Sequence, residues 1–340
     1  MYKAGIIGCG GRGRAHAQGY QLSPDVEIVA CSDPVEDIRS GFVKQFGIDR
    51  SYDDYQKMLD EEDLDFVSVC TWIRLHKDMI VNAANSGIKA IHAEKPIAPT
   101  WGEARELYQA CLDNDVLITF CHQRRFGAPF VKAKQLAHDG TIGELVRVEG
   151  NCPNMLDWGT HWFDMFFFYN NDQPAEWVIG QVDGSSTKEV FGVPVAAGGV
   201  SWIRWKSGLE GFLATGSTGL QGAANRLVGT HGKIEVHADG VPIRVMSSKS
   251  NDWQFPNLSG VVPTMGDDTS LSVLNLIDAV KTGQEPELSG RKAMQATELI
   301  FATYQSSRIR RKVVLPLNID DSPLLSMIET GEIAVSNSVF

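Results

Sequence analysis

The sequence has no C-x-x-C pair, no long block of like charges, no internal repeat and no apolar run long enough to cross a bilayer. Each absence closes off a class of function. Its six cysteines, Cys9, Cys31, Cys70, Cys111, Cys121 and Cys152, are scattered, mostly in apolar runs, the pattern of buried reduced thiols and not of a disulfide framework or a structural zinc site. That predicts a reducing, cytoplasmic setting and no bound metal. There are 42 acidic residues against 31 basic ones, and the formal net charge of -11 is spread along the chain, which argues against nucleic acid or an anionic membrane as a partner. It fits a small substrate that is neutral or modestly charged. No segment reaches the roughly 18 unbroken apolar residues of a membrane span. Met1 to Ile7 enters an apolar strand directly, without the basic and apolar regions of an export signal.

At 340 residues and 43% hydrophobic content, the chain exceeds one ordinary core and predicts two domains. Ala4 to Ile7 is an apolar run ending in Gly8-Cys9-Gly10-Gly11-Arg12-Gly13, behind which Arg14 to Ala17 can open a helix. This is G-x-G-x-x-G between strand and helix. Gly8 permits the tight turn, Gly10 lets the backbone approach a pyrophosphate, and Gly13 lets helix and strand pack closely. The helix N-terminus offers free N–H groups to the anion, and Arg12 can add a charge-assisted contact. A second strand, Val26 to Cys31, ends at Ser32-Asp33, and Asp33 stands twenty residues beyond Gly13. That is the spacing of an acid that binds the adenosine ribose hydroxyls. At roughly 5 Å and an effective dielectric near 20, each charge of a 2′-phosphate costs about 3 kcal/mol against such a carboxylate before screening. Half of that is about a tenfold preference, so NAD is expected over NADP, unless Arg39 folds back over the ribose.

Helices over Ile38–Phe46, Tyr55–Leu59, Lys77–Ser86 and Trp101–Asn114 alternate with strands near Ser51-Tyr52, Asp65–Thr71, Ala90–Ala93 and Val116–Cys121. The alternation predicts a doubly wound parallel sheet, whose ligands lie beyond the carboxyl ends of the strands. Thr71-Trp72, Glu94-Lys95-Pro96 and His122-Gln123-Arg124 occupy such ends. Farther on, Asp157-Trp158-Gly159-Thr160-His161-Trp162-Phe163-Asp164, read as a helix start, puts Asp157, His161 and Asp164 on one face. The same residues also suit a helix cap, since Asp is a preferred N-cap.

Together, Gly8 to Gly13, Asp33, Thr71 with His76 in T-x-x-x-x-H, Glu94-Lys95-Pro96 and Asp157-x-Gly-x-His161-x-x-Asp164 resemble the Gfo/Idh/MocA oxidoreductases. The resemblance continues through Gly140–Leu145, Gly208–Gly216, Val228–Ile234, Leu271–Lys281, Arg291–Ser307 and Val313–Leu317. It implies an NAD-binding Rossmann domain over residues 1–122. A second α/β domain follows over residues 123–340, its large, open, mostly antiparallel sheet binding substrate and packing against a partner in a homodimer or homotetramer.

The implied reaction is reversible hydride transfer between NAD and a secondary alcohol of a sugar, inositol or related polyol. His161 becomes the general acid/base, a role suited to an imidazole with a reference pKa of about 6.5. Asp157 binds the hydroxyl and tunes the imidazole, and Lys95 stabilises negative charge on the reacting oxygen. Gly8, Cys9, Gly10, Gly11, Arg12, Gly13, Asp33, Thr71, Trp72, His76, Glu94, Lys95 and Gln123 are the expected cofactor contacts. Arg124, Asn154, Trp158 and Asp164 are the substrate candidates. Two other roles known among relatives stay open: a redox-neutral cleavage or elimination through a transient keto sugar, and dinucleotide sensing without catalysis.

The chain departs from the family pattern twice. Trp72-Ile73 replace the common Pro-Asn after Thr71. Only Asn151 to Leu156 separate the strand Leu145–Gly150 from Asp157, where many relatives have a longer glycine-rich stretch. The tail, Ile319 to Phe340, carries no readable assignment.

Overall fold

The computed structural model describes residues 1–216 and 222–333. The chain divides into two compact units, Met1–Gln123 with Thr264–Ala293, and Arg124–Pro263 with Met294–Phe340. The first unit opens with β1 (Tyr2–Ile7), α1 (Gly11–Gln21), β2 (Val26–Ser32), α2 (Glu36–Phe46), β3 (Arg50–Tyr52) and α3 (Tyr55–Glu61). It continues through β4 (Phe66–Val69), α4 (His76–Asn85), β5 (Ala90–Ala93), α5 (Trp101–Asp113) and β6 (Leu117–Phe120). The six strands form one sheet in the order β3-β2-β1-β4-β5-β6, and every pairing is parallel. Both faces are covered by helices, which is why β4 and β5 are buried at every position instead of alternating. Strand order reverses between β1 and β4, the place where doubly wound sheets open a ligand crevice.

The second unit contains α6 (Ala128–His138), β7 (Leu145–Cys152), α7 (Gly159–Tyr169), β8 (Ala175–Val190), β9 (Val193–Trp205) and β10 (Glu210–Gly216). β11 (Asn225–Gly229), β12 (Gly232–Ala238), β13 (Val241–Ser247) and β14 (Ser250–Gln254) follow. Beyond them come α8 (Asp268–Thr282), α9 (Gly290–Ile309), β15 (Val313–Val314) and α10 (Pro323–Glu329). The second sheet has nine strands in the order β14-β13-β12-β11-β7-β10-β9-β8-β15, antiparallel except for β7 beside β10. The edge strand β15 pairs with only Trp177 and Val178 of β8, and farther along β8 the backbone N–H groups of Gly180 and Val182 donate to the hydroxyls of Ser306 and Ser307 on α9. Donors that would otherwise template pairing with another chain are thereby used.

Residues 264–293, which the sequence assigns to the second domain, pack with the first unit. Asp267 caps α8 by accepting from Ser270 N–H. The apolar stripe of that helix then delivers Val273, Leu276 and Ile277 into the cluster built by Ala4, Ile6, Tyr20, Phe42 and Phe66. Gly19 lets α1 approach closely, since a Cβ there would lie 2.8 Å from Val273 Cβ. Residues 313–317 were expected to form one strand, but the pairing stops at Val314, two residues before Pro316, which has no N–H to give a ladder. In the tail, Leu324 and Met327 of α10 are buried, and residues 334–340 lie outside the described part.

Candidate active site

In the first unit the glycine turn follows β1 as expected. Gly8 has φ +93°, and a Cβ there would sit 2.5 Å from the carbonyl oxygen of Cys70; a Cβ on Gly13 would sit 1.9 Å from that of Gly8. Gly10 and Gly11 face open space instead, so the backbone at the start of α1 is bare. No side chain caps that helix, which leaves its first N–H groups available to an anion. Asp33 stands at the end of β2, with Oδ2 accepting from Cys9 N–H and Oδ1 from Val35 N–H, both at 2.9 Å. Arg39 donates to the Asp33 carbonyl oxygen at 2.6 Å.

Gly8, Gly10 and Asp33 line a cavity of about 670 Å³ together with Val35, Ile38, Thr71, Trp72 and Leu75. Val35, Ile38, Trp72 and Leu75 are all exposed, Trp72 by 64%. A bare helix N-terminus, a carboxylate at the next strand end and an apolar rim complement a diphosphate, a ribose and an adenine respectively. The residues present therefore fit a dinucleotide.

Two expected cofactor contacts are engaged elsewhere. Arg12 pairs within the first unit, its Nε donating to Glu94 Oε1 at 2.6 Å and its Nη2 lying 3.3 Å from Cys121 Sγ. His16 Nε2 meets the same carboxylate oxygen at 3.0 Å, and the Lys95 N–H donates to Oε2 at 3.3 Å. Burial raises the Glu94 carboxyl, but the bond and charge of His16, with those of Arg12, outweigh it and hold the group well below the usual carboxylate range. Glu94 is thus a fixed anion that braces the backbone of Lys95.

His76 is also spent internally: it is fully buried, with Nδ1 facing the carbonyl oxygens of Pro96 and Ile97 and Nε2 that of Thr71. Burial pushes this imidazole down, although the three carbonyls pull the other way. Its physical role is a staple between the segments after β4 and β5. Thr71 gives its hydroxyl to Met79 Sδ, and Gln123 lies 3.8 Å from Cys121 Sγ.

His16, His92 and Cys121 hold three ligand-type atoms within 4.8 Å of one another. His92 meets Thr119 and Ser272, and His16 meets Ser68 and Glu94, so each ring nitrogen already faces a protein partner. With the Arg12 guanidinium beside Cys121, the cluster is a hydrogen-bond network with its own cation.

In the second unit α7 begins at Gly159, later than the spacing suggests, with Trp158 at its N-cap. Asp157 stands one residue before that position. It lies in the preceding turn, where Asn154 Oδ1 accepts from Asp157 N–H at 2.7 Å and the Asn154 carbonyl from Gly159 N–H at 2.9 Å. The turn is short because β7 runs on through Cys152. His161 sits in the first turn of the helix, 4% exposed. Its ring lies 6.5 Å from those of Trp158 and Trp162. The Arg124 guanidinium lies over Trp158 at 5.9 Å.

Two substrate candidates make contacts within the protein. Asn154 is buried and shapes the turn. Asp164 is buried with both carboxylate oxygens held by Arg125, Nε to Oδ2 at 2.8 Å and Nη2 to Oδ1 at 2.9 Å. Arg125 also reaches Asp172 at 2.8 Å, and its own Asp164 partner anchors α7 instead of facing solvent. The structure thus gathers Arg124, Asp157, Trp158 and His161 around the start of α7, while Lys95 belongs to the first unit. The rings of Phe130 and His237 lie 5.3 Å apart. The left-handed φ of His237, +49°, left no mark in the sequence pattern.

Residues 2–122 match the family model described as "Oxidoreductase family, NAD-binding Rossmann fold". The chain is 25% identical over 332 residues to myo-inositol 2-dehydrogenase of Thermotoga maritima, covering 92% of this chain and 98% of that one. It is also 25% identical to D-apiose dehydrogenase of Paraburkholderia graminis, covering 98% and 94% respectively. Among solved structures, an oxidoreductase from Agrobacterium radiobacter in complex with NAD+, L-tartaric acid and magnesium superposes with a TM-score of 0.78. It is 17% identical over 92% of this chain and 98% of that one.

Proposed function

Because this chain belongs to the Gfo/Idh/MocA family and is an NAD-dependent oxidoreductase, we propose that it oxidises, reversibly, a secondary alcohol of a sugar, inositol or related polyol. Bound NAD supplies the hydride chemistry. Gly8 to Gly13 and the start of α1 hold the diphosphate, Asp33 the adenosine ribose, and Val35, Ile38 and Trp72 the adenine side. In the second unit His161 takes the hydroxyl proton on an imidazole nitrogen, and Asp157 orients that hydroxyl. Lys95 donates to the oxygen as it gains negative charge. Trp158 offers a flat apolar face of the kind that suits a sugar ring.

The carrying observation lies in α7. In a helix buried along its length, the carboxylate of Asp164 is taken by Arg125, whereas His161 sits at the end where Asp157, Trp158 and Arg124 gather. A screen of polyols and aldoses with NAD, read at the reduced-nicotinamide absorbance band, tests this. Net NADH formation is the expected result, and turnover without it would assign the redox-neutral scheme instead. Repeating the best reaction with NADP should give kcat/KM about tenfold lower, from the Asp33 charge. An NADP preference would show that Arg39 dominates that end of the cavity.

We also place a homodimer or homotetramer contact on the second sheet. Trp177, Trp202 and Phe212 form a row of rings, the last two stacked with centroids 5.7 Å apart. Beside them Ile179 and Val200 are exposed by 40% and 44%. Apolar patches of this kind mark interaction surfaces. Trp202→Glu should shift the assembly toward monomer by light scattering, and a monomeric parent chain would remove the claim. With six free cysteines, a reducing cytoplasm suits the protein. Among the described residues no helix is long and apolar enough to cross a membrane.

A further inference from the structure

The carboxyl ends of the parallel strands β1, β2 and β3 stand side by side in the first unit. The N–H of Asp33, one residue past β2, donates to the carbonyl oxygen of Tyr52, the last residue of β3, at 3.1 Å. Asp53 and Asp54 follow Tyr52 directly and line the same cavity as Asp33 and the glycine turn. Neighbouring strands lie about 4.8 Å apart, so the end of β3 is one strand spacing from the carboxylate assigned to the adenosine ribose. The purine is bonded to that ribose. Among the described residues lining the cavity, Asp33, Asp53 and Asp54 carry charge, and all three are acids.

The two acids after β3 differ. Asp53 Oδ1 lies 3.7 Å from Lys57 Nζ, and both side chains are mostly exposed, so that pair is weak and screened by solvent. Asp54 is half-buried and held in place. It is the N-cap of α3, and its Oδ1 accepts from Gln56 N–H at 2.9 Å. The cap fixes how the carboxylate stands and leaves Oδ2 to accept from a ligand. Beside it Tyr55 also lines the cavity, and its hydroxyl oxygen accepts from Asn82 Nδ2 at 2.8 Å, which leaves the hydroxyl proton to be given. An ionised carboxylate has no proton to give, so Asp54 complements a donor and repels an acceptor.

We propose that Asp54 reads the base of the dinucleotide by accepting a hydrogen bond from the 6-amino group of adenine, so that the chain discriminates against dinucleotides whose purine carries a 6-oxo group. This rests on the placement of the adenine beside Val35, Ile38 and Trp72 in the proposed function. Adenine offers a donor at N6 beside an acceptor at N7, whereas a 6-oxo purine offers acceptors at both. A 6-oxo group turned toward Asp54 sets oxygen against oxygen with no proton between them. A site built to complete a hydrogen bond rejects the analogue that cannot make it. Apolar walls alone would hold both purines, whose rings have the same shape.

Isothermal titration calorimetry of the full chain with NADH and with its deamino analogue, in which hypoxanthine replaces adenine, tests the proposal without any alcohol substrate. NADH should bind about 10- to 100-fold tighter, the worth of a charge-assisted hydrogen bond. Asp54→Ser keeps a capping oxygen for α3 but is too short to reach a base, and should bring the ratio to near one. Asp54→Asn, with Oδ1 still held by the cap, presents Nδ2 as a donor and should turn the preference toward the deamino form. Asp53→Asn should leave the ratio unchanged. A parent ratio near one, or a ratio that survives Asp54→Ser, overturns the proposal. Trp72→Leu should weaken both dinucleotides alike. If it does so while the parent ratio is near one, the adenine placement stands and the base reading alone falls. If Trp72→Leu leaves both affinities unchanged, the adenine placement fails and the proposal fails with it.

Discussion

Lys95→Met and His161→Gln should each lower kcat by about 100-fold or more, the usual span of a positioned acid/base or charge-stabilising group. NADH affinity should change little in His161→Gln, whose position lies in the second unit. The expectation for Lys95 rests on how firmly its segment is held. Glu94, kept ionised by His16 and Arg12, accepts from the Lys95 N–H, and His76 ties Pro96 and Ile97 to Thr71. A long, flexible side chain is useful at a reacting oxygen only when its backbone is fixed. Stopped-flow and steady-state rates with the best alcohol measure the effect. Turnover within a few-fold of the parent enzyme in either variant would show that the assigned residue does not carry the chemistry.

Arg125→Met should be the most destabilising of the substitutions considered. Its guanidinium is fully buried, bridges Asp164 and Asp172, and lies over the Phe168 ring at 5.4 Å. Burial lowers its pKa, but the charges and hydrogen bonds of Asp164 and Asp172 more than reverse this and keep it cationic. Removing the cation strands a buried carboxylate, a change that costs about 3–5 kcal/mol. For a domain of this size each kcal/mol is worth about 2–4 °C, so the melting temperature should fall by roughly 6–20 °C. Arg125→Lys should recover only part, because an ammonium lacks the bidentate fork. Arg125→Met with Asp164→Leu should recover more, because the stranded charge goes too. Thermal unfolding followed by circular dichroism distinguishes these cases, and a shift of a degree or two for Arg125→Met would mean that solvent reaches the pair.

The parts legible in the sequence are those written in local spacing. Gly8, Gly10, Gly13 and Asp33 declare a strand, a turn, a helix and the next strand end. The alternation that follows gave every helix and strand of the first sheet to within a few residues. The parts that were not legible are pairings between distant residues. Nothing near Arg12 says that its side chain meets Glu94, and nothing near Asp164 says that Arg125 waits thirty-nine positions earlier. A carboxylate in a site motif looks the same whether it faces a ligand or a buried cation. His76 is the same lesson with the sign reversed: a motif residue that looks like a cofactor contact serves backbone carbonyls. The positive φ of His237 was hidden for another reason, since a single left-handed residue within a strand leaves no periodic signal in the sequence.

The placement of α8 sets a timetable for synthesis. Tyr20, Phe42 and Phe66 cannot complete their packing until Val273, Leu276 and Ile277 have been made. The ribosome must first translate all of Arg124–Pro263. At about 5–20 residues per second, the nascent first unit waits on the order of ten seconds with an unfinished apolar surface. During that interval the segment that completes the dinucleotide-binding unit has yet to be made, and the apolar surface it covers has no partner from its own chain.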